Sequence, residues 1–281
     1  MNLSSRKILN NGIEIPVMGL GVYKVQEGDE VEKAVKCALE LGYRMVDTAS
    51  IYRNEIGVGK AVKNSKIPRE EIFITTKLHA PDQGYENTLK AIDVSLSKLD
   101  MSYVDLYLIH WPSASEDKFK MINKREETWR AMEEILKSGK AKAIGVSNYT
   151  IEYLEEMKKY AEVLPAVNQV EFHPFLYQED LLQYCKDNEI LLEAYSPLVK
   201  FRKVDNELIK NMEQKYDKTH GQILIRWGLQ HGCIPIPKSI HRDRIKENSE
   251  VFNFEILEED MKKINNLNEN IHQAWNPEEI V

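Results

Sequence analysis

A chain of 281 residues with 42% hydrophobic and 30% charged residues has the balance of a soluble globular protein, long enough for one large core or two small ones. Its 45 acidic against 38 basic residues, a net charge of −7, weigh against nucleic acid as the main partner, because phosphate binding is driven by clustered positive charge. No apolar run approaches membrane-spanning length, Met1 to Lys7 lack the apolar core of a signal peptide, and three scattered cysteines (Cys37, Cys185, Cys233) suit reduced thiols in a cytoplasmic enzyme.

Residues 7–22 alternate apolar positions around Asn10-Asn11-Gly12, which predicts a β-hairpin. Val31, Ala34, Val35, Ala38 and Leu39 recur at helical spacing, and Gly42 is placed to end that helix. Short apolar runs then end at Asp47, at Lys77 (Ile72 to Thr76) and at His110 (Val104 to Ile109). Between and after them come helical stripes, first Leu89, Ile92, Leu96 and Leu99, then Trp129, Met132, Ile135 and Leu136, closed near Gly139. Ala143 to Val146, Ala166 to Val170, Ile190 to Ala194 and Ile234 to Ile236 bring the candidate strands to seven, and the gap 205–231 holds two helices. A short eighth strand near Val251-Phe252, before a terminal helix at about 257–267, would close a ring.

Strand-helix alternation with no linker or composition shift predicts one α/β domain over 1–281. The expected fold is a (β/α)8 TIM barrel with an N-terminal hairpin and short loops at its C-terminal face, between Pro112 and Arg125 and after Asn268. A doubly wound sheet is disfavoured, since Gly19-Leu20-Gly21 has no third glycine and no helix following it.

Barrel chemistry gathers at the carboxyl ends of the strands. Asp47, Lys77 and His110 stand there, and Tyr52 follows five residues after Asp47. Singly, each has an ordinary reading: a turn cap, a surface charge, a hydrogen-bonded core histidine, a packed aromatic. Together they outline a proton-transfer site. A free tyrosine titrates near ~10, an adjacent ammonium is expected to lower that, and a carboxylate keeps the ammonium charged and oriented. An imidazole can then fix a carbonyl oxygen. The natural reaction is reversible proton donation to oxygen while hydride arrives at carbon.

Competing chemistries are weaker. Ser147 lies in Ile144-Gly145-Val146-Ser147-Asn148, which is no nucleophile elbow, and the histidines are scattered with no His-x-x-x-His pair, so no metal is expected. A hydride source has candidate ligands at the later strand ends. Ser147, Asn148 and Gln169 can hydrogen-bond an amide such as a nicotinamide carboxamide, and Tyr195 offers a flat face for a ring. Lys238, Ser239, Arg244 and Asn248 make a plausible phosphomonoester clamp.

These residues fall in ordered motifs: Gly19-Leu20-Gly21 after the hairpin, Asp47-Thr48-Ala49 with Tyr52-x-Asn54-Glu55, Thr76-Lys77, and Leu108-Ile109-His110-Trp111-Pro112. Gly145-Val146-Ser147-Asn148, Asn168-Gln169-Val170-Glu171-x-His173-Pro174, Tyr195-Ser196-Pro197-Leu198, Ile236-Pro237-Lys238-Ser239 and Arg244-x-x-Glu247-Asn248 follow. In them the chain resembles the aldo-keto reductase family over almost its whole length. It looks most like compact microbial and plant members, such as the diketogluconate-reductase-like and prostaglandin-F-synthase-like branches.

The resemblance implies a barrel that binds NADPH in extended form without a Rossmann fold and reduces small carbonyl compounds. It implies a catalytic tetrad of Asp47, Tyr52, Lys77 and His110, with Tyr52 as general acid. Implied cofactor contacts come from Gly21, Val22, Tyr23, Asp47, Ser147, Asn148, Gln169, Tyr195, Ser196, Leu198, Lys238, Ser239, Arg244, Glu247 and Asn248. Implied substrate contacts come from Tyr23, Tyr52, His79, His110 and Trp111. Tyr23 stands where tryptophan is frequent and His79 falls where Trp-Asn is usual, so a more polar pocket is expected, with Trp111 retained. The expected state is a monomer without nucleic-acid or membrane partners. An NADPH-binding sensor or regulatory subunit on the same barrel is the alternative function, and the intact tetrad favours the enzyme.

Overall fold

The computed structural model describes residues 1–113, 118–199 and 205–279. An antiparallel hairpin comes first, β1 (Arg6–Ile8) paired with β2 (Glu14–Pro16). Gly12 in its turn has φ 85°, the left-handed conformation that glycine adopts without steric cost. Leu9 and Ile15 of this hairpin pack on Met45, Phe73, Val167 and Ile234, plugging the barrel where its strands begin.

Eight parallel strands make the barrel: β3 (Leu20–Gly21), β4 (Met45–Asp47), β5 (Phe73–Leu78), β6 (Val104–Ile109), β7 (Ala141–Ser147), β8 (Val167–Glu171), β9 (Leu191–Tyr195) and β10 (Ile234–Pro235). The ring closes where Gly21 bridges Lys238, and where the N–H groups of Gly19 and Gly21 donate to Pro235 O and Pro237 O at 3.2 Å. Side-chain alternation sorts the two faces. Met45, Phe73, Leu106, Leu108, Ala143, Val167 and Ile234 fill the interior, while Val46, Ile74, Tyr107, Ile109, Ile144, Val170 and Leu192 face the surrounding helices.

Those helices are α1 (Asp29–Glu40), α2 (Glu55–Asn64), α3 (Tyr85–Leu99), α4 (Lys118–Lys137), α5 (Ile151–Met157), α6 (Glu179–Asp187), α7 (Glu207–Tyr216), α8 (His220–Gln230), α9 (Arg242–Ser249) and α10 (Glu258–Asn265). The two helices expected in the gap 205–231 and the terminal helix are present. None of the described helices is long and apolar enough to cross a membrane.

One strand was misplaced. Val251 is buried, but Val251-Phe252 forms no strand, and the eighth member of the ring is Leu20–Gly21. The expected hairpin over 7–22 had absorbed it. Its two residues are too short for a periodic signal. A β-carbon on Gly21 would also sit 2.8 Å from Ile236 O, so closure demands glycine where strand propensity would ask for a branched residue. Of the loop between Pro112 and Arg125, residues 114–117 lie outside the described residues, and α4 already begins at Lys118.

Candidate active site

The inward alternation that builds the core continues to the strand ends and there turns polar. Asp47 stands two residues beyond Met45 on β4, and Lys77 ends the inward row that Phe73 begins on β5. Lys77 is fully buried. Its Nζ donates to Asp47 Oδ1 at 2.6 Å and to Thr48 O at 2.8 Å, and lies 3.5 Å from Tyr52 Oη. Tyr52 ends a 3-10 turn (Ser50–Tyr52) fastened to β5 by Ser50 Oγ, which donates to Lys77 O at 2.9 Å. Asn54 fixes the other side of that turn, donating to Val22 O and Val25 O and accepting from Thr48 Oγ1. The His110 ring, one residue past β6, meets the Tyr52 ring edge-on with centroids 5.6 Å apart. The four residues expected to converge do so.

Their electrostatics differ from the expectation in one respect. Burial holds the Tyr52 phenol well above its ordinary range, and the Asp47 carboxylate pushes the same way. The lowering expected from Lys77 is therefore outweighed by lost hydration, and the phenol keeps its proton. Burial also drives the His110 imidazole well below its ordinary range, with the Lys77 and His79 charges adding. His110 is a neutral ring, able to donate one N–H.

On the later strands, the polar residues bind one another. Ser147 Oγ donates to Gln169 O at 2.8 Å, and Asn148 Nδ2 donates to His110 O at 2.9 Å. Tyr195 Oη donates to Asn148 Oδ1 at 2.8 Å, pinning a half-buried ring at the end of β9. Gln169 Nε2 turns down into the barrel, donating to Asp47 Oδ2 at 2.8 Å and Glu193 Oε2 at 3.1 Å. Asn148 (φ 64°) and Ser196 (φ 51°) take left-handed backbone where the chain leaves β7 and β9.

Leu198, Lys238, Ser239, Arg244, Glu247 and Asn248 line one cleft of about 250 Å³, joined by Ile240 and His241. The N-terminus of α9 begins beside it, so helix dipole and two cations favour an anion there. Thr219 Oγ1 donates to Glu247 at 2.8 Å and fixes that wall. The donor set fits the phosphomonoester of a dinucleotide. Of the remaining expected contacts, Val22 is a core side chain with only backbone to offer, and Gly21 lies in the closing strand.

Tyr23 is half exposed with its ring 5.0 Å from that of Tyr52, and His79 and Trp111 are half-buried just past the ends of β5 and β6. Trp275 approaches Trp111 at 5.7 Å and is 74% exposed. A lone aromatic near the chain end gives no sequence signal, so it went unforeseen. Glu193 was also missed. Its signal was present, a carboxylate at an inward position of a strand buried on both faces.

The Aldo/keto reductase family model matches residues 17–269. A glyoxal reductase of Bacillus subtilis (strain 168) is 50% identical over 273 residues, which cover 97% of this chain and 96% of that protein. An aldo-keto reductase enzyme from a Medee basin deep-sea metagenome library superposes with a TM-score of 0.92 at 44% identity, covering 99% of this chain and 100% of the other. A Bombyx mori aldo-keto reductase solved in complex with NADP gives a TM-score of 0.87 at 34% identity, covering 95% and 94%.

Proposed function

The chain belongs to the aldo-keto reductase family, and from that premise we propose that it is an NADPH-dependent carbonyl reductase using Tyr52 as general acid. The observation that carries this reading is the buried Lys77 ammonium, 2.6 Å from Asp47 and 3.5 Å from the Tyr52 hydroxyl, with a neutral His110 beside them. The Bombyx mori relative solved with NADP supports the cofactor. In this chain Lys238, Ser239 and Arg244 would hold the 2′-phosphate, and Tyr195 would stack against the nicotinamide. When bound, the dinucleotide supplies the hydride.

The side chains then have separate tasks. The His110 N–H receives the carbonyl oxygen and sets its angle. Tyr52 Oη gives that oxygen a proton as negative charge develops on it. Lys77 stabilises the phenolate that remains, and Asp47 keeps Lys77 in place. Tyr23, His79 and Trp111 border the substrate, and two polar rings among the three suit small polar carbonyls. Because the Bacillus relative is named a glyoxal reductase, dicarbonyl compounds are the first class to try.

NADPH oxidation measured against methylglyoxal, nitrobenzaldehyde, a keto-sugar and a quinone tests the reading. Turnover of at least one, abolished in Tyr52→Phe while NADPH still binds, is the expected result. Tight NADPH binding with no reduction across the panel would overturn it.

A further inference from the structure

Strand pairing sets Gln169 of β8 beside Glu193 of β9, and both side chains are buried inside the barrel beneath the site. One amide nitrogen, Gln169 Nε2, donates to Asp47 Oδ2 and to Glu193 Oε2. Glu193 Oε1 meets no hydrogen-bond partner among the described residues. The charged groups facing this carboxyl are Asp47 of β4 and Lys77 of β5, with the Tyr52 phenol nearby. At its own level the neighbouring strands present only Gln169 and Ile234. Lys77 is thus one cation among two carboxylates, and its Nζ is committed to Asp47 Oδ1 and Thr48 O. A second anion here would be buried and uncompensated, and a protein group in that position takes up a proton instead.

We propose that Glu193 is a neutral buried acid and a positioning residue for Tyr52: bridged through Gln169, it steadies Asp47 beneath Lys77, and its ionisation would make the cluster net negative and Tyr52 a weaker acid. The inference rests on the assignment of Tyr52 as general acid. Burial, with the Asp47 carboxylate adding, pushes the Glu193 carboxyl up to about 8. Below that pH the Lys77–Asp47 pair is balanced and proton donation is unimpeded. Above it, an added negative charge opposes the phenolate that reduction leaves behind.

Glu193→Gln keeps the shape and the acceptor for Gln169 but cannot ionise. Measured from pH 6 to pH 10 with saturating NADPH, wild-type kcat/KM for an aldehyde should fall roughly three- to tenfold on the alkaline side, as Brønsted behaviour demands of a weakened acid. Glu193→Gln should lack that fall, whatever its activity at neutral pH. An identical alkaline limb in both proteins would overturn the proposal. An infrared difference spectrum of the cofactor-free wild type, neutral minus alkaline, gives a readout independent of turnover and of the variant's folding. It should contain the C=O stretch of one buried carboxylic acid, and its absence would also overturn the proposal. Tyr52→Phe separates the two readings. If that variant still reduces aldehydes, the general-acid assignment fails, whereas its inactivity beside an unchanged Glu193→Gln profile sinks this inference alone.

Discussion

The backbone N–H of Gln273 donates to both carboxylate oxygens of Glu171, at 2.8 and 3.0 Å, tying the chain's end to the mouth of β8. Ala274 N–H adds a bond at 2.9 Å, and His173 Nε2 donates to Glu171 Oε1 at 2.9 Å. This knot sets Trp275 against Trp111. Burial alone would raise the Glu171 carboxyl, but the bonds from His173, Ala274 and Gln273 prevail and hold it below the usual range. A depressed carboxyl contributes stability above its unfolded pKa, near ~4.3, and that contribution is lost as pH falls through the lower folded value. Glu171→Gln should therefore loosen 272–275 at neutral pH by about 1.5–3 kcal/mol. Hydrogen exchange at the Ala274 amide checks this, and exchange as slow as in the wild type would refute it.

Asp47→Asn should cost stability more than its small change in shape suggests. Lys77 has no exposed surface, and Asp47 is its ion-pair partner. Removing one member of a buried pair typically costs about 3–5 kcal/mol. Urea unfolding of the cofactor-free protein is the measurement. A loss under about 1 kcal/mol would place this pair with ordinary surface salt bridges.

Tyr52→Phe should slow reduction by ~10²–10⁴-fold, the usual worth of a general acid, with NADPH affinity almost unchanged. Lys77→Met should depress the same step, because the phenolate loses its nearest cation. Single-turnover hydride transfer beside NADPH fluorescence titration separates chemistry from binding. Near-wild-type transfer in Tyr52→Phe would remove Tyr52 from the mechanism.

Arg244→Ala should weaken NADPH by one charge-assisted contact, about 1.5–3 kcal/mol, and leave NADH nearly unaffected. The discrimination should shrink with added salt, since the lining cations are exposed. Equilibrium titration of both cofactors at two ionic strengths decides it. Equal wild-type affinities for the two would eliminate the phosphate clamp.

Much of this molecule was legible where pattern length was sufficient. β5 and β6, six residues each, declared themselves as apolar runs, and the placing of Lys77 and His110 at the barrel's mouth followed from barrel geometry. β3, two residues with a glycine dictated by contact with Ile236 O, carried no such pattern and was displaced to Val251-Phe252. The convergence of Asp47, Tyr52, Lys77 and His110 was readable from residue type and position. The charge state of Tyr52 was not, because it depends on how much water the folded walls exclude. Trp275 and the Glu171 knot depend on where a distant tail returns, which local sequence does not encode.

Lys238 is at once a wall of the cleft proposed to hold the phosphate and the residue that Gly21 bridges to shut the ring. Most of the chain lies between those two positions, so the cleft is complete only once the ring has closed. An open barrel lacks that wall, and a closed one is joined where β3 and β10, strands of two residues each, meet. Ligand at a hundred times its dissociation constant adds roughly 2.7 kcal/mol to the folded state. Because the proposed cofactor would meet its full set of contacts only in the closed ring, that increment would oppose opening of the barrel.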